Sequence, residues 1–317
     1  MITYSLDSGW FFWKKGTEHK IPVTIPHDAM LYEKRDPACL NGMNTGYYPG
    51  GCYYYEKMLE IPKPLAGKSI WLEFEGIQGI SRVFVNGEEA GEIDFGYADH
   101  FMRIDGLLHY GETNILTVEA DNSGELNSRW YTGSGLYRPV SLHIADKMHV
   151  AVNGLKIRTL SFEPACVEVH VALENDGTAD ADTCLEIAVL TKEKTILDKK
   201  EIRMMLPTKE RTEQTFSFTL TGARLWSAED PYLHECRVRL RDGSGCLLDE
   251  TCARFGIREV SGSAGKGLQV NGRTIKLYGA CLHHDNGLLG AATYPAAEYR
   301  RIRKLKELGY NAVRSAH

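Results

Sequence analysis

Apolar and polar residues alternate through most of this chain, which is the period-2 signature of half-buried β-strands. Cys52–Ile61 is rich in tyrosine and apolar residues and is stopped by Pro62, and Ser69–Glu75 alternates cleanly. Arg82–Val85 runs into Asn86-Gly87, two residues that tolerate the positive φ of a tight hairpin. Ile115–Asp121 and Val140–Ile144 complete a set of strands at sandwich-like spacing. A jelly-roll β-sandwich is expected over residues 1–146.

A second alternating run follows: 150–157, Cys166–Leu173, Thr183–Leu190, Gln214–Leu220, His234–Leu240 and Leu247–Phe255, with turns at Asn175-Asp176-Gly177 and Asp242-Gly243. This rhythm predicts an immunoglobulin-like β-sandwich over 147–258, without the Cys-Trp-Cys core of antibody domains. Gly262–Gly267 is a flexible joint by composition, and after it the period changes. Leu268–Val270 and Thr274–Lys276 flank a second Asn-Gly turn, and Lys276–Ala280 continues as an apolar strand into Cys281-Leu282-His283-His284-Asp285. A helix begins at Pro295, with Tyr299, Ile302, Leu305 and Leu308 on one face, the basic run Arg300–Lys306 on the wet side and Gly309 at its end. Tyr310–Arg314 is the next strand. Strand, helix, strand makes one parallel βαβ unit within 259–317, and alone it leaves both sheet edges bare.

With 43% hydrophobic and 25% charged residues among 317, the chain is ordinary globular material. A formal charge of -5 offers no electrostatic reason for a nucleic acid or an anionic membrane as partner. No stretch reaches the roughly 18 apolar residues of a membrane span, and the first residues lack the pattern of a signal peptide, so a cytoplasmic location is expected. The eight cysteines are scattered, with no CxxC and no zinc-ligand spacing, which favours buried reduced thiols.

The polar positions that stand out are few. His283-His284-Asp285 follows a predicted strand; a metal site and plain hydrogen bonding are both open, although consecutive residues diverge along a strand. Arg314 and His317 close the last strand, and on the residues alone a salt-bridged strand end accounts for them. Arg129-Trp130-Tyr131, Tyr47-Tyr48 and Tyr53-Tyr54-Tyr55 suit either sugar stacking or core packing. Asp28, Asp99, Asp121 and Asp285 lie near motifs, but no spacing sets two of them across a cleft.

Taken in order, Ile25-Pro26-His27-Asp28, Tyr48-Pro49-Gly50-Gly51-Cys52-Tyr53, Val85-Asn86-Gly87, Arg129–Arg138, His283–Gly290 and Asn311–His317 resemble glycoside hydrolase family 2, the family of bacterial β-galactosidases and β-glucuronidases, along essentially the whole chain. The resemblance implies a mainly β fold: a sugar-binding jelly roll, an immunoglobulin-like sandwich and, over 259–317, the incomplete start of a (β/α)8 TIM barrel. It implies that His283, Asp285, Arg314 and His317 bind substrate at the C-terminal ends of barrel strands. Arg314 would orient the nucleophilic glutamate, while His283 and His317 would lie against the sugar. The family cleaves with retention, through two carboxylates about 5 Å apart. Both glutamates fall on strands beyond residue 317, so this chain holds no catalytic residue and is expected to be inactive alone.

The motifs His283-His284-Asp285-Asn286-Gly287 and Trp130–Gly135 look most like the β-galactosidase branch, with β-glucuronidase and β-mannosidase as alternatives. A non-catalytic carbohydrate-binding module is the reading from another class. Where some relatives carry a sugar-holding aspartate ahead of Gly135-Leu136, this chain has Asn127-Ser128-Arg129, a departure that bears on sugar binding by the first domain. The expected partner is a β-galactoside or related oligosaccharide, with no nucleic acid or membrane. No cofactor is identifiable; a metal ion and homo-oligomerisation are left open for the full-length enzyme.

Overall fold

The computed structural model describes residues 1–124 and 128–316. In chain order the first strands are β1 (Ile2–Ser5), β2 (Trp10–Lys14), β3 (Ile21–Val23), β4 (Cys52–Glu60), β5 (Ser69–Phe74), β6 (Ile80–Val85), β7 (Glu88–Ile93), β8 (His100–Arg103), β9 (Thr113–Asp121) and β10 (Val140–Ala145). They form a four-stranded sheet, β1-β10-β5-β8, and a six-stranded sheet, β3-β2-β4-β9-β6-β7. Burial sets the register: along β9, Asn114, Leu116, Val118 and Ala120 are buried, while the residues between them are not. Trp10, Tyr53, Tyr55, Phe74, Val83 and Val118, all with no exposed surface, lie in one core. The expected Asn-Gly hairpin joins β6 to β7, with φ of 55° at Asn86 and 84° at Gly87.

The next strands are β11 (Met148–Phe162), β12 (Ala165–Asn175), β13 (Ala181–Leu190), β14 (Ile196–Leu206), β15 (Arg211–Thr219), β16 (His234–Asp242), β17 (Leu247–Phe255), β18 (Val260–Ser263), β19 (Gly267–Val270) and β20 (Arg273–Thr274). β11-β12-β15 and β14-β13-β16-β17 are two antiparallel sheets of a sandwich, and β18-β19-β20 is a small third sheet. Their inner residues, Val167, Val169 and Val171 on β12, Leu185 and Ile187 on β13, and Val238 and Leu240 on β16, make a second core. The pattern is mainly β, as the alternation predicts.

The chain ends with β21 (Gly279–Leu282), α1 (Pro295–Glu307) and β22 (Ala312–Ser315). Two compact units result: Met1 with Ala145–Leu277, and Ile2–Ile144 with the chain from Tyr278 onward. β21 is shorter than the apolar run suggests. The Tyr278 amide donates to the Asn311 side-chain oxygen at 2.6 Å and its carbonyl accepts from the Asn311 and Ala312 amides at 2.9 and 3.2 Å, so the first paired residue is Gly279. Pro295 opens α1, as its fixed φ favours, and Gly309, at φ 89°, takes the left-handed turn after it. The apolar stripe of α1 is largely uncovered among the described residues: Tyr299 is 72% and Leu308 75% exposed.

Candidate functional site

β21 and β22 run parallel, pairing Cys281 with Arg314 and Leu282 with Ser315. Neighbouring strand residues face opposite sides. Leu282, Val313 and Ser315 line, with Ile302 of α1, a cavity of about 350 Å³ on the helix side. Cys281 and Arg314 therefore lie on the side away from the helix, and the Arg314 guanidinium donates to the Cys281 sulfur at 3.7 Å. This puts an exposed cation on the face opposite the helix, which is the inward face whenever a βαβ unit belongs to a closed barrel.

The loop from β21 to α1 is gripped at both ends. At its start, Arg301 donates from Nη1 to the His283 carbonyl at 2.9 Å and from Nη2 to the Asp285 carbonyl at 2.6 Å. The basic run expected on the wet side of the helix thus includes one arginine that is not wet: the Arg301 side chain is only 18% exposed. Between those two residues the His284 imidazole donates from Nε2 to the Thr132 carbonyl at 2.9 Å and packs edge-on against the Tyr97 and Tyr137 rings. Burial there lowers its pKa. The Thr293 amide reaches the Tyr137 carbonyl at 2.8 Å, and the Tyr294 hydroxyl the Pro26 carbonyl at 2.9 Å.

The most concentrated contact is at Asp28. Its carboxylate, 2% exposed, accepts from the Met30 and Ser134 amides at Oδ1 (3.0 and 3.1 Å) and from the Ala291 amide and Tyr131 hydroxyl at Oδ2 (2.8 and 2.6 Å). Burial raises its pKa, and these four donors pull the other way. With both oxygens taken, Asp28 is not available as a general acid or base. Beside it His27 accepts from or donates to the Tyr55 hydroxyl at 2.9 Å, and burial lowers its pKa to about 4.

Of the candidate sugar contacts, His283 lines the cavity together with Glu75, Arg138, Glu298 and Arg301; Asp285 and Arg314 do not line it. His317 lies outside the described residues, as does Asn127. The aromatic candidates divide: Tyr53 and Tyr55 are fully buried, and Tyr54 stacks on Trp13 across the β4–β2 pair. Trp130 Nε1 donates to the Tyr97 hydroxyl at 3.1 Å and Tyr131 serves Asp28, so both have structural work in this chain. Among the described residues, no three His, Cys, Asp or Glu side chains are grouped to hold a metal ion. Sequence reasoning gave Asp28 no role, left His284 open between a metal ligand and plain hydrogen bonding, and set Arg301 on the wet face of the helix. The available signal was the small-residue run Gly290-Ala291-Ala292, all buried, which is where a backbone approaches another closely.

The description "Glycosyl hydrolases family 2" matches residues 150–258, and "Glycosyl hydrolase 2 galactose-binding domain-like" matches residues 10–131. The chain is 32% identical to β-galactosidase BoGH2A of Bacteroides ovatus over 300 residues, covering 93% of this chain and 35% of that protein. It is 31% identical to a β-glucuronidase of Bacteroides fragilis over 287 residues, covering 85% and 40%. It thus spans a little over a third of the length of these curated relatives. The crystal structure of a glycosyl hydrolase family 2 member from Bacteroides cellulosilyticus superposes with a TM-score of 0.94 at 30% identity, over 100% of this chain and 43% of that one. A β-glycosidase from Bacteroides vulgatus gives 0.89 at 26%, over 100% and 42%. Two family descriptions in sequence order, and likeness over the whole chain to a solved family 2 member, establish that the chain belongs to glycoside hydrolase family 2.

Proposed function

We propose that this chain is the sandwich-bearing N-terminal part of a retaining exo-β-glycosidase, a β-galactosidase by preference. In this reading residues 1–146 are the jelly roll, 147–258 the immunoglobulin-like sandwich and 259–317 the opening of a TIM barrel, whose later strands supply both catalytic glutamates. The observation that carries it is the β21–α1–β22 unit. His283 directly follows the last residue of β21 and Arg314 is the penultimate residue of β22, so both fall at the C-terminal ends of parallel strands, where barrel active sites are built. A guanidinium there would fix and keep ionised a neighbouring carboxylate. Imidazoles of His283 and His317, with Asp285, would hydrogen-bond sugar hydroxyls whose contacts tighten as an oxocarbenium-like state forms.

The likeness to β-galactosidase BoGH2A supports a galactoside substrate, and that to a β-glucuronidase keeps a glucuronide as the competing one. The test is a ranking of kcat/KM for the whole protein on p-nitrophenyl β-D-galactoside, β-D-glucuronide and β-D-mannoside. The galactoside is expected to lead; a leading glucuronide would move the assignment within the family, and no turnover on any of the three would remove it. The galactose-binding likeness of residues 10–131 favours one other reading, a sugar-binding module. Calorimetry of this chain with galactose and lactose tests it.

A further inference from the structure

We propose that Asp28 is a positioning residue for the candidate substrate loop: its carboxylate, on the first sandwich, latches the far end of the loop that begins with His283 and Asp285. The proposal rests on reading those two residues as sugar contacts. Asp28 and Ala291 are 263 positions apart, yet their hydrogen bond, at 2.8 Å, is shorter than those that Asp28 makes to the nearby Met30 amide or to the Ser134 amide. A loop amide in water needs no such partner, and sinking a carboxylate under four donors is justified only by what it holds in place.

The surroundings are shaped for the same contact. A Cβ at Gly290 would collide with Asp28 Oδ2, and one at Gly133 would collide with the Ala291 methyl. Both glycines sit at positive φ, 60° and 66°, so their lack of a side chain serves both the backbone turn and the close approach. The rest of the loop is tied to the same sandwich by His284 to Thr132, Thr293 to Tyr137 and Tyr294 to Pro26. Arg301 fixes the loop's first carbonyls from the helix side. With both ends held, the direction in which His283 and Asp285 project is set by the sandwich as well as by the strand that precedes them. An asparagine cannot replace Asp28, because whichever way its amide turns, an NH2 group faces two donors.

The test is NMR on the 317-residue chain, comparing the parent with Asp28→Asn, Gly290→Ala and Tyr131→Phe. In Asp28→Asn and Gly290→Ala the Ala291 amide is expected to exchange at least about tenfold faster. The His284 ring is expected to titrate nearer its ordinary value, while amides of β4 and β9 keep their parental rates. Tyr131→Phe removes one donor and leaves three, so it keeps the fold and speeds Ala291 exchange by a smaller factor. Parental exchange and titration in Asp28→Asn would overturn the proposal, and so would a uniform acceleration across loop, β4 and β9, which marks a general stabiliser. If Asp28→Asn does not fold, Tyr131→Phe decides: parental Ala291 exchange there overturns the latch. A selective loop effect combined with parental kcat and KM for His283→Ala in the whole protein would uphold the latch and overturn the substrate reading on which its positioning role rests.

Discussion

Arg301 Nη1 donates to the carbonyl oxygen of His283 at 2.9 Å, so the helix that follows the strand holds the strand's own exit. The second arm of the fork reaches the Asp285 carbonyl, a spacing that a planar guanidinium matches and an ammonium does not.

Arg301→Lys is therefore expected to lower stability by about 1–2 kcal/mol, since lysine reaches one carbonyl and leaves the other unpaired. Arg301→Ala is expected to cost about 2–3 kcal/mol through the loss of both charge-assisted bonds. Urea denaturation checks both, and a lysine variant as stable as the parent would show that the fork contributes nothing.

Stability should fall as the solution is acidified from about pH 6.5 toward pH 4. Burial depresses His27 to about 4. Over that window the unfolded chain therefore takes up a proton that the folded chain refuses. The neutral-His contribution is complete above the unfolded pKa and is lost on the way down, up to about 3 kcal/mol for a shift of this size. His284, also depressed, adds in the same direction; Asp28, raised, acts in the opposite sense. His27→Gln should flatten the dependence of melting temperature on pH between 7 and 4.5. An equally steep curve in that variant would remove His27 as its source.

Two glycines with similar backbone angles should respond differently to alanine. Gly135 (φ 81°) pairs with Gln78, and a Cβ there would collide with the buried Tyr55 hydroxyl. Gly87 (φ 84°) has open space around it. Gly87→Ala is expected to cost about 1 kcal/mol from φ strain alone, and Gly135→Ala about 2–4 kcal/mol because the core must also move. Similar thermal shifts in the two variants would contradict the collision.

Much of the fold is legible in the chain because a strand with one buried face must alternate, as His234, Cys236, Val238 and Leu240 on β16 do. Local chemistry made the Asn86-Gly87 hairpin and the bounds Pro295 and Gly309 equally readable. β14 was not readable: its middle, Asp198-Lys199-Lys200-Glu201, carries the charge that protects an edge strand and hides its period. The site was legible only in part. A single acidic residue such as Asp28 has no local signature of its partners when one of them, Ala291, lies 263 positions later. Arg301 was lost in a basic run because helical periodicity separates wet from dry faces without revealing an arginine that folds back onto a loop.

The most direct measurement is the configuration of the first sugar released by the whole protein from p-nitrophenyl β-D-galactoside, followed by proton NMR of the anomeric signal in the parent and in Arg314→Ala. A retaining glycosidase with Arg314 in its pocket releases β-galactose first, and the variant loses about 10²–10³-fold in kcat/KM. The α-anomer appearing first, or parental kinetics in Arg314→Ala, would contradict it.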